Sequence, residues 1–416
     1  MRSVKALLAA VFVVAVPWSS PFGARAAEAP EASKGTVRIG LLDPVSGTYA
    51  TEGRDVDAGF RYYLATHGDE LGGFRVELRT ADEGGSPDSA LASAHQLIEE
   101  DMVDAIVGLV NSSDALGIAD YVDAQKKPLV IAGAGADDLT QGTARKTFFR
   151  VAHTSSQDVM PLGDYVCRRL GRKTAAILAV DAPYGWESAG GFARTFTDAG
   201  CRVLQETYVA GADTDWNALV SKLDRRAQVI FVSISSLVGE PFLAAFRAKG
   251  PRTMLVGSGL LTDESVLSAE RDLALGAITS LHYAATLPSP QNTAFRLGYE
   301  SLGGQPVSQL SENGYVAAEA LGAALARLPS GPIRGDALAL EMHGVSLQAP
   351  RGPVRFDPYG QVIDAVYVRR VRQVGGRYRN DVIETYPNVS QFWRYDPVRY
   401  LQLPSYEKLK GTWARP

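Results

Sequence analysis

The sequence predicts an α/β protein of two doubly wound lobes, each built on a mainly parallel sheet. Three observations predict it. From Thr36 onward, short apolar segments alternate with helix-length amphipathic ones, the pattern of βαβ units with helices on both faces of a sheet. The rhythm stops near Arg150 and starts again. Once a leader-like N-terminus is set aside, roughly 380 residues remain, enough for two domains at about 100–200 residues each.

In the first half, Val37 to Leu42 reads as a strand, and Gly53 to His67 carries Val56, Phe60, Tyr63 and Leu64 at helical spacing. Phe74 to Leu78 alternates apolar and polar residues, as a half-buried strand does. Ser89 to Asp101 is a helix, Ala105 to Gly108 a strand, Leu116 to Gln125 a helix and Pro128 to Ile131 a strand. In the second half, helices are expected at Ser156 to Leu170, Trp186 to Ala199, Asp215 to Leu223 and Pro241 to Lys249. Strands are expected at Thr174 to Val180, Arg202 to Tyr208, Val229 to Ser233, Thr253 to Val256 and Ala277 to Tyr283. Long helices follow at Asn292 to Leu302 and Ser308 to Arg327. Gly352 to Arg379 is hairpin-like, with the turn Asp357-Pro358-Tyr359-Gly360 between Val354–Phe356 and Val366–Val371.

The N-terminus has Arg2 and Lys5, an apolar run from Ala6 to Val16, and Ala24-Arg25-Ala26, which together predict a signal peptide cut after Ala26. The run is shorter than the roughly 20 apolar residues a bilayer span needs, and Pro17 and Pro21 would break a buried helix. No cysteine follows the run, so a lipid anchor is not expected. The mature protein is expected to be soluble and periplasmic.

The formal charge of −4 gives no support to nucleic-acid binding. His67, His95, His153, His282 and His343 are scattered without metal-ligand spacing, so no metal is expected. Gly133-Ala134-Gly135 is not a dinucleotide fingerprint, since Asp138 stands where its third glycine should be, and no phosphate loop occurs. No cofactor is therefore expected. Gly257-Ser258-Gly259 lacks the spacing of a nucleophile elbow, and no nucleophile has a recognisable base, so an enzyme is not expected. Cys167 and Cys201 are either a disulfide, which export permits, or two buried thiols.

Binding features are easier to find. Ligands of open parallel sheets sit beyond the carboxyl ends of the strands. There the sequence places Asn111-Ser112-Ser113 after one strand and Gly133-Ala134-Gly135 after the next. Both loops lead toward helix N-termini, where free N–H groups favour an anion. The serines serve either as helix caps or as donors to a ligand carboxylate.

These and further segments resemble the leucine/isoleucine/valine-binding family of periplasmic proteins serving ABC transporters. The likeness runs from Ile39-Gly40-Leu41-Leu42-Asp43-Pro44-Val45-Ser46-Gly47 through Gly108–Ser113, Pro128–Ile131 and Asp137-Asp138-Leu139-Thr140. It continues in Phe149-Arg150-Val151, Tyr184-Gly185 and Asp213-Thr214-Asp215-Trp216. The ending Tyr386–Trp393 resembles a subset whose ligands include aromatic acids.

The resemblance implies a type I periplasmic binding fold, with the ligand cleft between lobes joined by three crossover strands and closing about that hinge. The crossings are expected near Ala152, Tyr283 and Gly352. Lobe 1 would then comprise residues 36–152 and 284–351, lobe 2 residues 153–283 and 352–395, and a tail residues 396–416. It further implies a monomer that hands a small molecule to an inner-membrane ABC permease.

Two departures from the family bear on the ligand. In the amino-acid binders a Ser and a Thr hold the α-carboxylate. The Ser corresponds to Ser112, whereas the Thr position falls on Gly135. The Glu that normally takes the ammonium falls on Gly259. Tyr184 matches one aromatic wall residue, while a second falls on Ser236, beside Ser235, and Tyr49 offers a further face. A buried ammonium without an acceptor is heavily penalised. The reading is therefore a larger, non-amino organic acid, an aromatic acid being one candidate. The alternatives are an amino acid held through Glu240 or Asp263, or a ligand sensor of the same fold.

Overall fold

The computed structural model describes residues 33–142, 145–211, 214–250, 253–303 and 305–414. The expected leader and Asp213 lie outside them. Strand β1 (Thr36–Asp43) is buried along most of its length, as a central parallel strand must be. It pairs in parallel with β3 (Phe74–Asp82) and β4 (Ala105–Gly108). With β2 (Glu70–Leu71), β5 (Leu129–Ile131) and β6 (Phe148–Arg150) it forms a six-stranded sheet in the order β2-β3-β1-β4-β5-β6. Apolar clusters cover both faces: Val56, Phe60, Val316 and Leu321 lie on one, Leu97, Ile118 and Val122 on the other. On the first face two helices, Ala50–Thr66 and Gln309–Leu325, meet through glycines. A Cβ on Gly59 would stand 1.9 Å from the Ser311 carbonyl oxygen, and one on Gly314 2.1 Å from that of Val56.

The second sheet contains β7 (Thr174–Val180), β8 (Arg202–Val209), β9 (Val229–Ser233), β10 (Met254–Ser258) and β11 (Ile278–Leu281). Its other strands are β12 (Ser346–Ala349), β13 (Gly352–Phe356), β14 (Val362–Val374) and β15 (Arg377–Val389). The order is β12-β13-β14-β11-β10-β9-β7-β8, and β15 also pairs with β14. The core from β8 to β11 is parallel, and β14 joins β11 in antiparallel fashion.

The elements that go beyond the sequence reading include β12, the helix Gly335–His343 and β15. The expected turn at residues 357–360 does connect β13 to β14, but only two residue pairs register there. The longer hairpin is β14–β15, turning at Gly375-Gly376 with φ of 58° and 80°. Pro387 in β15 is tolerated because that strand lies at an edge.

The first-lobe core includes Val354, Phe356 and Val362, so the hairpin expected at the third crossing packs with lobe 1. The chain passes over only after Val362. Lobe 2 is closed by its own tail. Tyr406 packs on Gly190, and Glu206 accepts from the N–H groups of Gly411, Trp413 and Ala414.

The three crossings share one buried polar network. His153 follows β6, His282 follows β11 and Asp364 lies in β14. His153 Nδ1 is 2.8 Å from Asp158 Oδ1, and its Nε2 contacts Asp364. His282 Nε2 is 3.0 Å from Asn313 Oδ1. Arg351, fully buried, pairs with Glu312 and with Asp364, and donates to the Val151 carbonyl at 2.7 Å. Burial pushes His153 down, but Asp364 and Asp158 outweigh it and bring the ring up to about 9. Burial, with Arg351 nearby, pushes His282 down to about 4. The histidines that look scattered in sequence thus lie 4.5 Å apart, ring centre to ring centre, with their planes tilted by 44°.

Candidate functional site

At the carboxyl end of β4 the chain turns sharply, with positive φ at Gly108 (131°) and Leu109 (63°). Such a turn in a non-glycine residue must be held by its surroundings. Glu83 holds it from beneath, accepting from the N–H groups of Val110 and Asn111 at 2.9 and 2.8 Å. The cap of the next helix, Ser112–Ala124, is Asn111, whose Oδ1 accepts from Ser113 N–H at 2.8 Å. Capping therefore does not occupy Ser112. Its Oγ accepts from the N–H groups of Gly135 and Ala136 at 3.2 and 3.1 Å. Two donors on one hydroxyl oxygen polarise its own O–H, making it a better donor to an anion. Ser113 is exposed at the rim.

Arg150 sets the orientation of the second loop. This buried side chain donates to the carbonyls of Ala134 and Ala136 at 3.2 and 2.7 Å, and to Thr140 and Gln361. Ala134 thus contributes through its backbone only. Gly133 lies against the Leu109–Val110 turn, where a Cβ would stand 2.9 Å from Val110 Cα. At Gly135 a Cβ would stand 2.7 Å from Ser155 Oγ. Ser155, arriving from the first crossing, thus puts a hydroxyl next to the position that lacks one.

Asp43, Glu83 and Asp114 are all buried below these loops. Burial, then charge repulsion from Glu83, raises Asp43 well above the usual carboxylate range. Burial raises Glu83 from 4.5 to about 8 and also raises Asp114. A carboxyl whose pKa is raised by folding stabilises most below its unfolded pKa, and that contribution is lost as pH rises through the folded value. Thermal unfolding is therefore expected at lower temperature near pH 9 than near pH 5, with Glu83 titrating at about 8 in between. A melting temperature that is flat or rises across that window would refute the arrangement, and Glu83→Gln should flatten the slope.

Lobe 2 presents hydroxyls. Tyr184 Oη donates to Ser258 Oγ at 2.6 Å, and burial pushes the phenol up to about 12. Ser258 is registered beside Ser280, and the pairing of Gly257 with Val232 puts Ser233 on its other side. The three buried serines thus form a row across the ends of β9, β10 and β11. The hydroxyls of Ser233 and Ser280 have no hydrogen-bond partner among the described residues. Ser235 caps the short turn Ser236–Val238, accepting from Leu237 N–H at 3.3 Å.

The two lobes also meet directly. Ser236 Oγ donates to Glu52 Oε1 at 3.4 Å, and Glu187 Oε1 accepts from Asp137 N–H at 3.0 Å. Burial raises both Glu52 and Glu187, the latter strongly and with repulsion from Asp137 added. Tyr49 is half-buried, and burial, then the charge of Glu52, raises its phenol.

At Gly259 a Cβ would stand 2.5 Å from Leu281 Cδ1, so a side chain fits there only if Leu281 shifts. Asp263 is also committed, with Oδ1 accepting from Ser265 and Oδ2 from Gln309 N–H at 3.2 Å. Glu240 is exposed. Sequence reasoning missed Arg150, Ser155, Glu187 and the serine row. A signal for the row existed: apolar strands end in Val232-Ser233 and Gly257-Ser258, and Ser280 breaks the third near its end.

Residues 36–377 match the family described as "Periplasmic binding protein". A Leu/Ile/Val-binding protein homolog of Brucella suis is 27% identical over 363 residues, covering 84% of this chain and 91% of the relative. A solute-binding protein of an ABC transporter from Rhodopseudomonas palustris, solved with 3,4-dihydroxybenzoic acid, has a TM-score of 0.81 and 27% identity, covering 86% of this chain and 99% of the other. A second R. palustris solute-binding protein, solved with 4-hydroxybenzoate, has a TM-score of 0.80 and 26% identity, covering 86% and 98%.

Proposed function

Since the chain belongs to the periplasmic binding protein family, we propose that it is the periplasmic receptor of an ABC importer and that its ligand is a hydroxylated aromatic acid. It carries a cleavable signal peptide, acts as a monomer and passes its ligand to a membrane permease without chemical change. One observation carries the ligand class: the lobe-2 wall presents the hydroxyls of Tyr184, Ser233, Ser258 and Ser280 side by side. Ser112 and the loop N–H groups suit a carboxylate. Tyr184 and the serine row suit ring hydroxyls and a flat apolar body between them. The two R. palustris proteins solved with dihydroxy- and hydroxybenzoate support this reading.

A second reading rests on Glu187. Its Oε2 is buried without a partner among the described residues, and it could accept from an amino acid's ammonium. A thermal-shift screen of refolded, ligand-free protein separates the two. Hydroxybenzoates at about 100 times their dissociation constant should stabilise by ~2.7 kcal/mol, with Glu187→Gln retaining the effect. Stabilisation by leucine or valine alone, lost in Glu187→Gln, would establish the second reading instead. Ser112→Ala should weaken binding of the carboxylate by about 1.5–3 kcal/mol in titration calorimetry. Unchanged affinity would mean that the anion is held elsewhere.

A further inference from the structure

The network at the crossings contains a feature that hinge packing does not require. Asn313 Nδ2 donates to the Ala132 carbonyl at 2.8 Å, so its Oδ1 faces both Arg351 and His282 as an acceptor. His282 must then donate from Nε2, which leaves the lone pair of its neutral ring at Nδ1. That lone pair points at Asp158 Oδ1, another acceptor, 3.4 Å away. Two acceptors facing each other in a buried site require a cation or a proton between them. On the other side of the same oxygen is His153 Nδ1, at 2.8 Å. These three donor atoms lie within 4.8 Å of one another.

We propose that His153 Nδ1, His282 Nδ1 and Asp158 form a site for one divalent transition-metal ion of the zinc class, placed where the crossings meet. The donor set, two imidazoles and a carboxylate, suits zinc. Tetrahedral ligands about 2.0–2.1 Å from zinc lie roughly 3.3 Å apart; the two distances to Asp158, 2.8 and 3.4 Å, bracket that value, and all three donor atoms lie within 4.8 Å of one another. Both rings already have the outer contacts that fix a ligating imidazole, with Asp364 on His153 Nε2 and Asn313 on His282 Nε2. Charge fits too. Asp158, Asp364 and Glu312 carry three negative charges against Arg351 and one imidazolium, and a divalent ion replacing the His153 proton restores neutrality. Asp158 alone of the three retains some exposure, 15% of its side chain, and gives the ion a way in. Bound there, the ion would tie the first crossing to the second and stiffen the hinge. This expectation about sequence-scattered histidines reverses the reading that excluded a metal.

The test uses mature, tag-free protein, unfolded with chelator and refolded with either zinc or EDTA. Zinc-refolded protein should retain one zinc per chain after desalting and melt at higher temperature, and His282→Phe should retain none while still binding organic ligand. Should that variant fail to fold, crystals of zinc-refolded wild type measured at the zinc absorption edge decide the matter. An anomalous peak between the three donor atoms supports the site. No stoichiometric zinc, or zinc only at another position, overturns it and leaves a proton as the bridge.

Discussion

Arg351→Met is expected to cost about 3–5 kcal/mol of folding stability, because it leaves carboxylates buried without their counter-charge. Arg351, Glu312 and Asp364 all have fully buried side chains, so water cannot replace the lost partner. Burial works against the guanidinium's charge, yet Glu312 and Asp364 more than offset it and raise its pKa. The same side chain holds the Val151 carbonyl of the first crossing, and Tyr367 Oη in β14 donates to the Arg351 carbonyl at 2.6 Å. Chemical denaturation of the mature protein measures the effect. The double variant Arg351→Met/Glu312→Gln should recover part of the loss, since it removes one orphaned charge with its partner. A loss below about 1 kcal/mol would mean that the crossings are wet and the pair replaceable by solvent.

Removing the disulfide should be the next largest effect. Cys167, at the end of the helix Met160–Arg168, is bonded to Cys201, which precedes β8, with Cα atoms 6.0 Å apart and a sequence separation of 34. Closing a loop of that size lowers the entropy of the unfolded chain by an amount worth roughly 4 kcal/mol, and measured values usually fall at 2–4 kcal/mol. Cys167→Ala/Cys201→Ala is therefore expected to lose about 2–4 kcal/mol while keeping its fold. Denaturation with and without reductant checks it: wild type should drop under reductant to the level of the double variant, and the variant should not respond. Equal stability in both states would show that helix packing alone holds this corner of lobe 2.

How much of this was legible beforehand varied with the range of the interaction. The two-lobe architecture followed from local periodicity, because a parallel strand buried on both faces must be an apolar run such as Val37–Leu42. Element ends were less legible. The helix expected from Leu116 begins at Ser112, and β15 was missed because its exposed edge alternates weakly and contains Pro387. The neighbouring loops at Asn111–Ser113 and Gly133–Gly135, which meet through Ser112, were found from strand ends alone. The crowding at Gly259 was not, since it depends on Leu281, a residue of the neighbouring strand.

The sequence by itself therefore determined the class of fold, the family resemblance and the two neighbouring loops beyond the ends of β4 and β5. Each is encoded within a few dozen consecutive residues, through side-chain period and strand ends. Only the tertiary structure decided which polar groups work together. It joined Cys167 to Cys201, freed Ser112 from capping by giving that task to Asn111, aligned three serines from three strands, and brought His153 beside His282. Those contacts join residues far apart in the chain, and their energies depend on burial, which no single segment possesses until the lobes have packed.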